Sequence, residues 1–227
     1  MSRLSAPGRS ALYRFYRLMS RHYGPTGWWP GDTPFEIAVG AILTQNTAWR
    51  NVERAIANLK QLDALEPQSL VALTDAELEE ALRPSGYFRQ KAERVRRFTR
   101  WLLERHGGRL ESLAELPLPR AREELLALNG IGPETADDIL LYACDFPVFV
   151  IDAYTRRILA RHGMPEALSM PYEQLRHYIE SRLDRDIPLF REYHGLIVWT
   201  GKDFCRRRAR CEGCPLSELP KDPSIGA

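Results

Sequence analysis

The sequence has no apolar run that approaches the roughly 18 residues needed to cross a bilayer. Its N-terminal stretch is basic but has no continuous apolar core, so no secretory signal is expected. Of its five histidines none is paired at i,i+4, which gives no indication of a histidine zinc site. Strand-like alternation is confined to PVFVI at 147–151, too short to form a sheet. These absences exclude membrane-spanning and secreted classes, and we expect a cytoplasmic protein, nucleoid-associated if prokaryotic.

What is present is helical periodicity. The 227 residues allow one large domain or two modest ones. Apolar residues recur at helical spacing nearly throughout, and short segments rich in Pro, Gly or Asp separate the helical stretches. The sequence therefore predicts an all-α fold. The predicted helices cover 9–22, 34–46, 49–61, 67–72, 75–83, 87–105, 119–128, 134–144, 153–161, 171–182 and 187–203.

Positive charge is concentrated in two places. Six basic residues fall within 89–100, and four arginines fall within 206–210. Such clusters are compatible with a polyanionic partner, but they are equally typical of a solvated helix face and a charged loop. On charge alone the solvated face is the better-supported interpretation.

Residues 119–144 predict two helices joined by Asn129-Gly130-Ile131-Gly132-Pro133. The glycines permit a tight turn and a close approach to another molecule, and Pro133 suits the first turn of the second helix. Amides at that helix start are able to hold a phosphate, and Ile131 would be the apolar pin between the helices. A plain helical hairpin is the alternative for this turn by itself.

Asp152 follows directly after an apolar run, in PVFVIDAYTRRI. A carboxylate at this place is either the N-cap of the next helix or a catalytic group, and one side chain is able to serve in both ways. Three of the four cysteines, Cys205, Cys211 and Cys214, form C-x5-C-x2-C, a spacing that suggests metal more than a disulfide. Cys144 stands apart and is expected in the core.

The ordered set GAILTQNTAWRNV, LNGIGPETADDIL, VFVIDAYTRRI and a C-terminal cysteine cluster resembles the helix-hairpin-helix DNA glycosylases of the endonuclease III superfamily over about residues 28–215. The resemblance implies two helical lobes with a DNA-binding cleft between them. The central lobe would be 31–145, with the hairpin at 119–144, and the other would be 1–30 plus 146–227. It also implies double-stranded DNA with a damaged base as partner, no membrane partner, and a monomer.

The resemblance also assigns roles. The hairpin would grip a backbone phosphate, with a monovalent cation on its carbonyls, and Asp152 would promote departure of the damaged base. Bifunctional members of the family carry a lysine where this chain has Glu134, and a carboxylate does not form the Schiff base of a lyase. AP lyase activity is therefore expected to be weak or absent.

The pattern is most similar to the 3-methyladenine DNA glycosylase III type, through Trp28-Trp29-Pro30, LTQNT at 43–47, GIGPE at 130–134 and HGLIVWTGK at 194–202. That likeness implies an aromatic base pocket, which suits a cationic alkylated purine. The implied pocket residues are Trp28, Trp29, Pro30, Trp49, Glu134 and Lys202. A core anchor is the alternative for the two adjacent tryptophans, and His194 is expected to be structural.

The remaining implied DNA contacts are Gln45, Asn46, Asn129, Gly130, Ile131, Gly132, Thr135, Arg206, Arg207 and Arg208. Gln45 or Asn46 would fill the gap that the flipped base leaves, and Asn46 is favoured. No carboxylate lies between Ala38 and Trp49, which argues against adenine-mismatch activity. The alternatives to an alkylpurine glycosylase are an endonuclease III-like lyase on oxidised pyrimidines and a non-catalytic DNA-damage binding module.

The cysteine cluster departs from the four-cysteine [4Fe–4S] pattern of endonuclease III relatives. Its first gap is one residue shorter, and Pro220 stands at the fourth position. A cubane normally takes four thiolates. A fourth ligand other than cysteine, a three-iron or labile cluster, zinc, and a loop without metal all stay open.

Overall fold

The computed structural model describes residues 6–226, and within them all regular structure is helical, which confirms the all-α prediction. Residues 1–5 and 227 of the predicted second domain lie outside the described residues. The helices are α1 (Arg9–Tyr23), α2 (Pro34–Leu43), α3 (Trp49–Gln61), α4 (Pro67–Ala72), α5 (Asp75–Leu82), α6 (Phe88–His106), α7 (Leu110–Ala114), α8 (Leu118–Leu126), α9 (Pro133–Tyr142), α10 (Ala153–Arg161), α11 (Tyr172–Glu180) and α12 (Ile187–Asp203). Short 3₁₀ turns occupy Arg83–Ser85 and Pro165–Leu168. No helix in this part of the chain is long and apolar enough to span a membrane.

The chain forms two compact units. The first, here called the central unit, is Pro30–Phe146. The second, here called the terminal unit, consists of the residues up to Trp29 together with the residues from Pro147 onward. The central unit holds α2–α9, and the terminal unit holds α1 and α10–α12.

Helix α2 is the core of the central unit. Thr33 caps its start by accepting a hydrogen bond from the Glu36 amide (3.1 Å), and Pro34 fills the first turn. Its apolar side chains are almost fully buried, and α3, α6 and α9 pack around it. Burying each large apolar side chain contributes about 1.5–3 kcal/mol. The prediction that this helix extends to residue 46 is wrong, because it ends at Leu43 and Asn46 takes a left-handed backbone (φ 53°).

In the terminal unit α12 packs against α10 and α1. Phe149, from the apolar segment that the sequence singled out, lies edge-on to Phe190 (5.3 Å between centroids) and Tyr193 (5.7 Å) of α12. That segment forms neither a strand nor a helix, although the side chains of residues 148–151 are buried. The short helix α7 is absent from the sequence-based prediction because five residues are too few to display a helical period.

Candidate active site

The hairpin between α8 and α9 is built as the residue types require. Gly130 has a φ of +93°, and a Cβ at this position would lie 2.6 Å from Cγ of Arg94. Ile131 is 5% exposed and serves as the buried pin. Gly132 is the N-cap of α9 with extended backbone, and Pro133 takes the first helical position. The turn therefore presents the N-terminal end of α9, whose first amides have no intrahelical partner.

Gln45 ties the segment after α2 to this hairpin. Its Nε2 donates to the Gly130 carbonyl (3.1 Å) and to Oγ1 of Thr135 (3.0 Å), while its Oε1 accepts from the Arg94 guanidinium. The adjacent Asn46 is exposed at the tip of the turn. The two residues that the sequence could not separate thus differ: the Gln45 amide holds the hairpin, and the Asn46 side chain is presented to solvent.

Helix α6 supplies the other supports of the hairpin. Arg97 donates to the Asn129 carbonyl (2.8 Å). Two hairpin carbonyls, those of Asn129 and Gly130, therefore already accept hydrogen bonds from side chains of the chain. The monovalent cation expected at the hairpin stays a prediction.

The basic cluster of α6 is partly internal, because Lys91 and Arg96 are buried while Arg89 and Arg100 are exposed. Arg96 is 9% exposed and donates to the Val71 and Leu73 carbonyls, with Asp75 as ion-pair partner. Lys91 is 1% exposed, and its ammonium donates to the carbonyls of Leu43 (2.8 Å) and Ser85 (2.6 Å). The cluster is therefore not a purely solvated face, because two of its cations stabilise neighbouring backbone carbonyls.

Asp152 is the N-cap of α10, as the sequence allowed. Its Oδ1 accepts from the Thr155 amide (2.6 Å) and hydroxyl (2.7 Å), and its Oδ2 lies 3.8 Å from Nε2 of His194. Burial by itself would raise the pKa of Asp152, but His194 and the hydrogen bonds from Thr155 outweigh burial and bring the pKa below its ordinary value. The buried carboxylate is therefore ionised at neutral pH, with one oxygen capping the helix and the other beside an imidazole.

The segment with Trp28 and Trp29 packs against helix α12. Thr26 donates its amide (2.9 Å) and its hydroxyl (2.9 Å) to the Glu192 carboxylate, an anchor that sequence reasoning missed. Gly195 allows the segment to lie against α12, since a Cβ there would lie 2.6 Å from Cβ of Trp28. The Lys202 ammonium lies 5.0 Å from the Trp28 ring centroid. Trp28, Trp29 and Lys202 are thus gathered at α12, with the two indoles 5.6 Å apart.

In the central unit, Pro30 and Trp49 line one open groove with an empty volume of ≈ 590 Å³. The charged side chains of this groove are Asp32, Glu36, Glu53 and Lys60. Lys60 pairs with Asp32 (2.5 Å) and Glu36 (3.0 Å), which leaves a net negative groove beside an indole. Glu134 lies exposed in the first turn of α9, where a carboxylate is favoured by the helix dipole.

Cys205, Cys211 and Cys214 line one small cavity together with Arg161 and His162. The residues present do not fit a four-thiolate cluster: Pro220 stands at the fourth position, and its carbonyl accepts from Nδ1 of His162 (2.9 Å). Within residues 6–226 no group of three or more His, Cys, Asp or Glu side chains is arranged to hold a metal. An iron–sulfur cluster stays a prediction that this arrangement does not support.

The segment 205–214, here called the cysteine loop, is held by α10. The buried Arg161 donates to Sγ of Cys205 (3.2 Å) and to the carbonyls of Arg206 (2.7 Å), Arg207 (2.7 Å) and Ile225 (2.8 Å). The side chains of Arg206, Arg207 and Arg208 are exposed on this loop. Cys144 belongs to the central unit and is buried, as expected, and burial raises the pKa of its thiol to about 12.

The comparisons with known proteins agree with these features. The family model described as "HhH-GPD superfamily base excision DNA repair protein" matches residues 39–184, more than half of the chain. A protein of Methanocaldococcus jannaschii that is named as a DNA repair glycosylase is 43% identical over 210 residues, covering 92% of this chain and 94% of the relative. Endonuclease III of Thermotoga maritima is 30% identical over 184 residues, covering 81% of this chain and 80% of the relative.

Among solved structures, H. pylori 3-methyladenine DNA glycosylase bound to 1,N6-ethenoadenine matches with a TM-score of 0.71 at 29% identity, covering 86% of this chain and 96% of that chain. The resemblance drawn from the motifs is confirmed by these matches. The chain belongs to the HhH-GPD superfamily of base excision DNA repair proteins.

Proposed function

We propose that this protein is a monofunctional DNA glycosylase that hydrolyses the N-glycosidic bond of alkylated purines such as 3-methyladenine in duplex DNA. The observation that carries the proposal is the Asp152 carboxylate, which is 8% exposed, ionised, and bonded through only one oxygen to the helix that it caps. The kinship with named DNA repair glycosylases supports the glycosylase class.

The chemistry follows from the charges. When the bond between C1′ and the base nitrogen breaks, its electron pair goes to the base, and a cationic alkylpurine leaves as a neutral molecule. Positive charge then develops on the sugar, and the ionised Asp152 stabilises it, as a carboxylate does in glycoside hydrolysis. Water adds to C1′, and its proton passes to Asp152 and then to solvent.

The aromatic residues support a cationic base. Indole faces attract cations and stack on purines, and Trp28, Trp29 and Trp49 offer three of them. Trp49 and Pro30 line a groove with an excess of carboxylates, which favours a positively charged ligand. Lys202 already lies over the Trp28 ring, so a charged base would gain more from the remaining indole faces. The solved relative with a purine derivative bound is in keeping with this substrate class.

DNA binding is assigned to the hairpin and the cysteine loop. The turn at Gly130–Gly132 and the start of α9 would hold a backbone phosphate, and the exposed Arg206, Arg207 and Arg208 would hold others. Asn46 would fill the gap left by the flipped base, because the Gln45 amide is occupied with the hairpin. A single chain on duplex DNA is the expected complex.

Weak or absent lyase activity is proposed because Glu134 is a carboxylate, which does not form a Schiff base. The position of the lyase lysine is Glu134. Lys91 is buried at the end of α2, where its ammonium donates to the carbonyls of Leu43 and Ser85. It would have to give up both hydrogen bonds before it acted as a nucleophile.

The test is base release from methylated duplex DNA, with chromatographic identification of the freed base and gels run with and without alkali. We expect 3-methyladenine to be released, nicks only after alkali, and loss of release in Asp152→Asn. Nicks without alkali would instead indicate the second candidate, an endonuclease III-like lyase, which the identity to the Thermotoga enzyme favours. Binding of damaged DNA without release of a base would indicate a non-catalytic binding module.

A further inference from the structure

The two oxygens of Asp152 lie in different surroundings. Oδ1 receives both hydrogen bonds from Thr155, which completes the cap of α10. Oδ2 faces Nε2 of His194 at 3.8 Å, and His194 is 3% exposed in the middle of α12. The oxygen that is not used for capping is therefore the one beside the imidazole.

A buried carboxylate needs such a neighbour to stay ionised. Removal from water disfavours the charged form, and the hydrogen bonds of an N-cap offset only part of that cost. An Nε2–H group of an imidazole at this distance attracts a carboxylate, and the attraction is larger inside the protein than in water because the effective dielectric constant is lower. The sequence-based expectation of a structural role for His194 does not account for its place beside this particular carboxylate.

The position of His194 is fixed by the packing of α12. A Cβ at Gly195 would lie 2.6 Å from Cβ of Trp28, and a Cβ at Gly201 would lie 2.2 Å from Cδ1 of Tyr154. Each glycine thus marks a place where another segment touches the α12 backbone. A helix held at these two contacts keeps the imidazole, which lies next to the first of them, in one place relative to Asp152.

We infer that His194 is a positioning residue, which keeps the Asp152 carboxylate ionised and in one orientation while the sugar becomes cationic. This inference rests on the proposed role of Asp152. His194 takes no part in bond making and transfers no proton in net terms, so its effect is exerted wholly through Asp152.

Other ionisable groups lie near the pair and enter the interpretation of any pH profile. Tyr154 of α10 is affected by the charge of Asp152, and also by Arg157 of the same helix and Arg206 of the cysteine loop. Burial and the Asp152 charge raise the pKa of Tyr154, so its phenol is neutral through the working pH range.

The experiment compares His194→Gln, Asp152→Asn and the double variant with the wild type in single-turnover base release across pH 4–9, with DNA affinity measured separately. The matched control is His106→Gln, which breaks another histidine–carboxylate pair, the half-buried one to Glu124 (3.0 Å), in the central unit. We expect His194→Gln to slow release at least about tenfold, to leave DNA affinity unchanged, and to move the acidic limb of the profile to higher pH. The double variant should be no slower than Asp152→Asn, and the control should match the wild type.

The outcomes separate the two proposals. An active wild type, an inactive Asp152→Asn and an unchanged His194→Gln would overturn the role of His194 and leave the proposed function standing. Release by Asp152→Asn at the wild-type rate would overturn the role of Asp152, and the role of His194 with it, whereas absence of release by the wild type would overturn the proposed function itself. A uniform slowing by His194→Gln, with no shift of the acidic limb and further loss in the double variant, would show a structural role only.

If His194→Gln does not fold, His194→Asn takes its place in the same pH series. A folded His194→Asn that releases the base at the wild-type rate from pH 4 to pH 9 would overturn the inference.

Discussion

Replacing Arg161 by methionine is expected to release the cysteine loop from α10. The guanidinium is 2% exposed and donates to the carbonyls of Arg206, Arg207 and Ile225 and to Sγ of Cys205. Methionine fills much of the same space with an apolar chain and offers no donor, so the acceptors lose their partner in a site that excludes water.

The size of the effect follows from these four acceptors. A hydrogen bond to a charged group is worth about 1.5–3 kcal/mol, and a buried acceptor left without a partner costs about 1–3 kcal/mol. The total of these four contributions is not reached, because the cysteine loop opens locally once its carbonyls have a lower free energy in contact with water than in the closed loop. We therefore expect a loss of roughly 3–5 kcal/mol, the usual cost of removing one partner of a buried charged group, and a fall in Tm on the order of 10 °C.

Thermal unfolding and limited trypsin digestion measure this loss together. Trypsin cleaves after arginine, and the loop carries Arg206, Arg207, Arg208 and Arg210, so a detached loop should be cut much faster. Arg208→Met, an exposed position on the same loop, is the control and should leave Tm unchanged. Wild-type Tm and digestion rate in Arg161→Met would refute the view that this side chain holds the loop.

Three further predictions concern the metal, the helix cap and the α12 contact. Dialysis against a chelator should leave Tm and trypsin resistance unchanged, because the Arg161 guanidinium itself bonds the loop carbonyls; iron release with a lower Tm would contradict this. Asp152→Ala should lose about 1–2 kcal/mol of unfolding free energy in urea and Asp152→Asn much less, because asparagine is an equal N-cap. The folded-state pKa of Asp152 lies below its unfolded value, so the contribution of its charge to the free energy of unfolding is present above the unfolded pKa and is lost as pH falls through the folded pKa. The stability difference between wild type and Asp152→Asn should therefore shrink on acidification, and a constant difference would refute this. Gly195→Ala should cost about 1–3 kcal/mol by overpacking against Trp28 and should shift tryptophan fluorescence, and a wild-type spectrum would count against the contact.

Local signals were sufficient for much of the fold. The helical period of α3, α10 and α12 agrees with the structure to the residue at both ends, since their apolar faces are set by residues a few positions apart and α10 and α12 begin directly after the capping residues Asp152 and Asp186. The hairpin turn was equally readable, because Gly130 permits a positive φ and Pro133 fixes φ near the helical value. The end of α2 was not, because its last carbonyl is held by Lys91, 48 residues away.

For the site, the sequence by itself determined which residue types are present: a carboxylate after an apolar segment, a glycine-containing turn between two helices, paired tryptophans, and a glutamate shortly after that turn. Only the tertiary structure decided what each side chain touches. It turned Gln45 to the hairpin, buried Lys91 and Arg96 within a helix that looked basic, and set His194 beside Asp152. The physical reason is that periodicity and capping act over a few residues, whereas hydrogen bonds and ion pairs between distant segments depend on how helices pack.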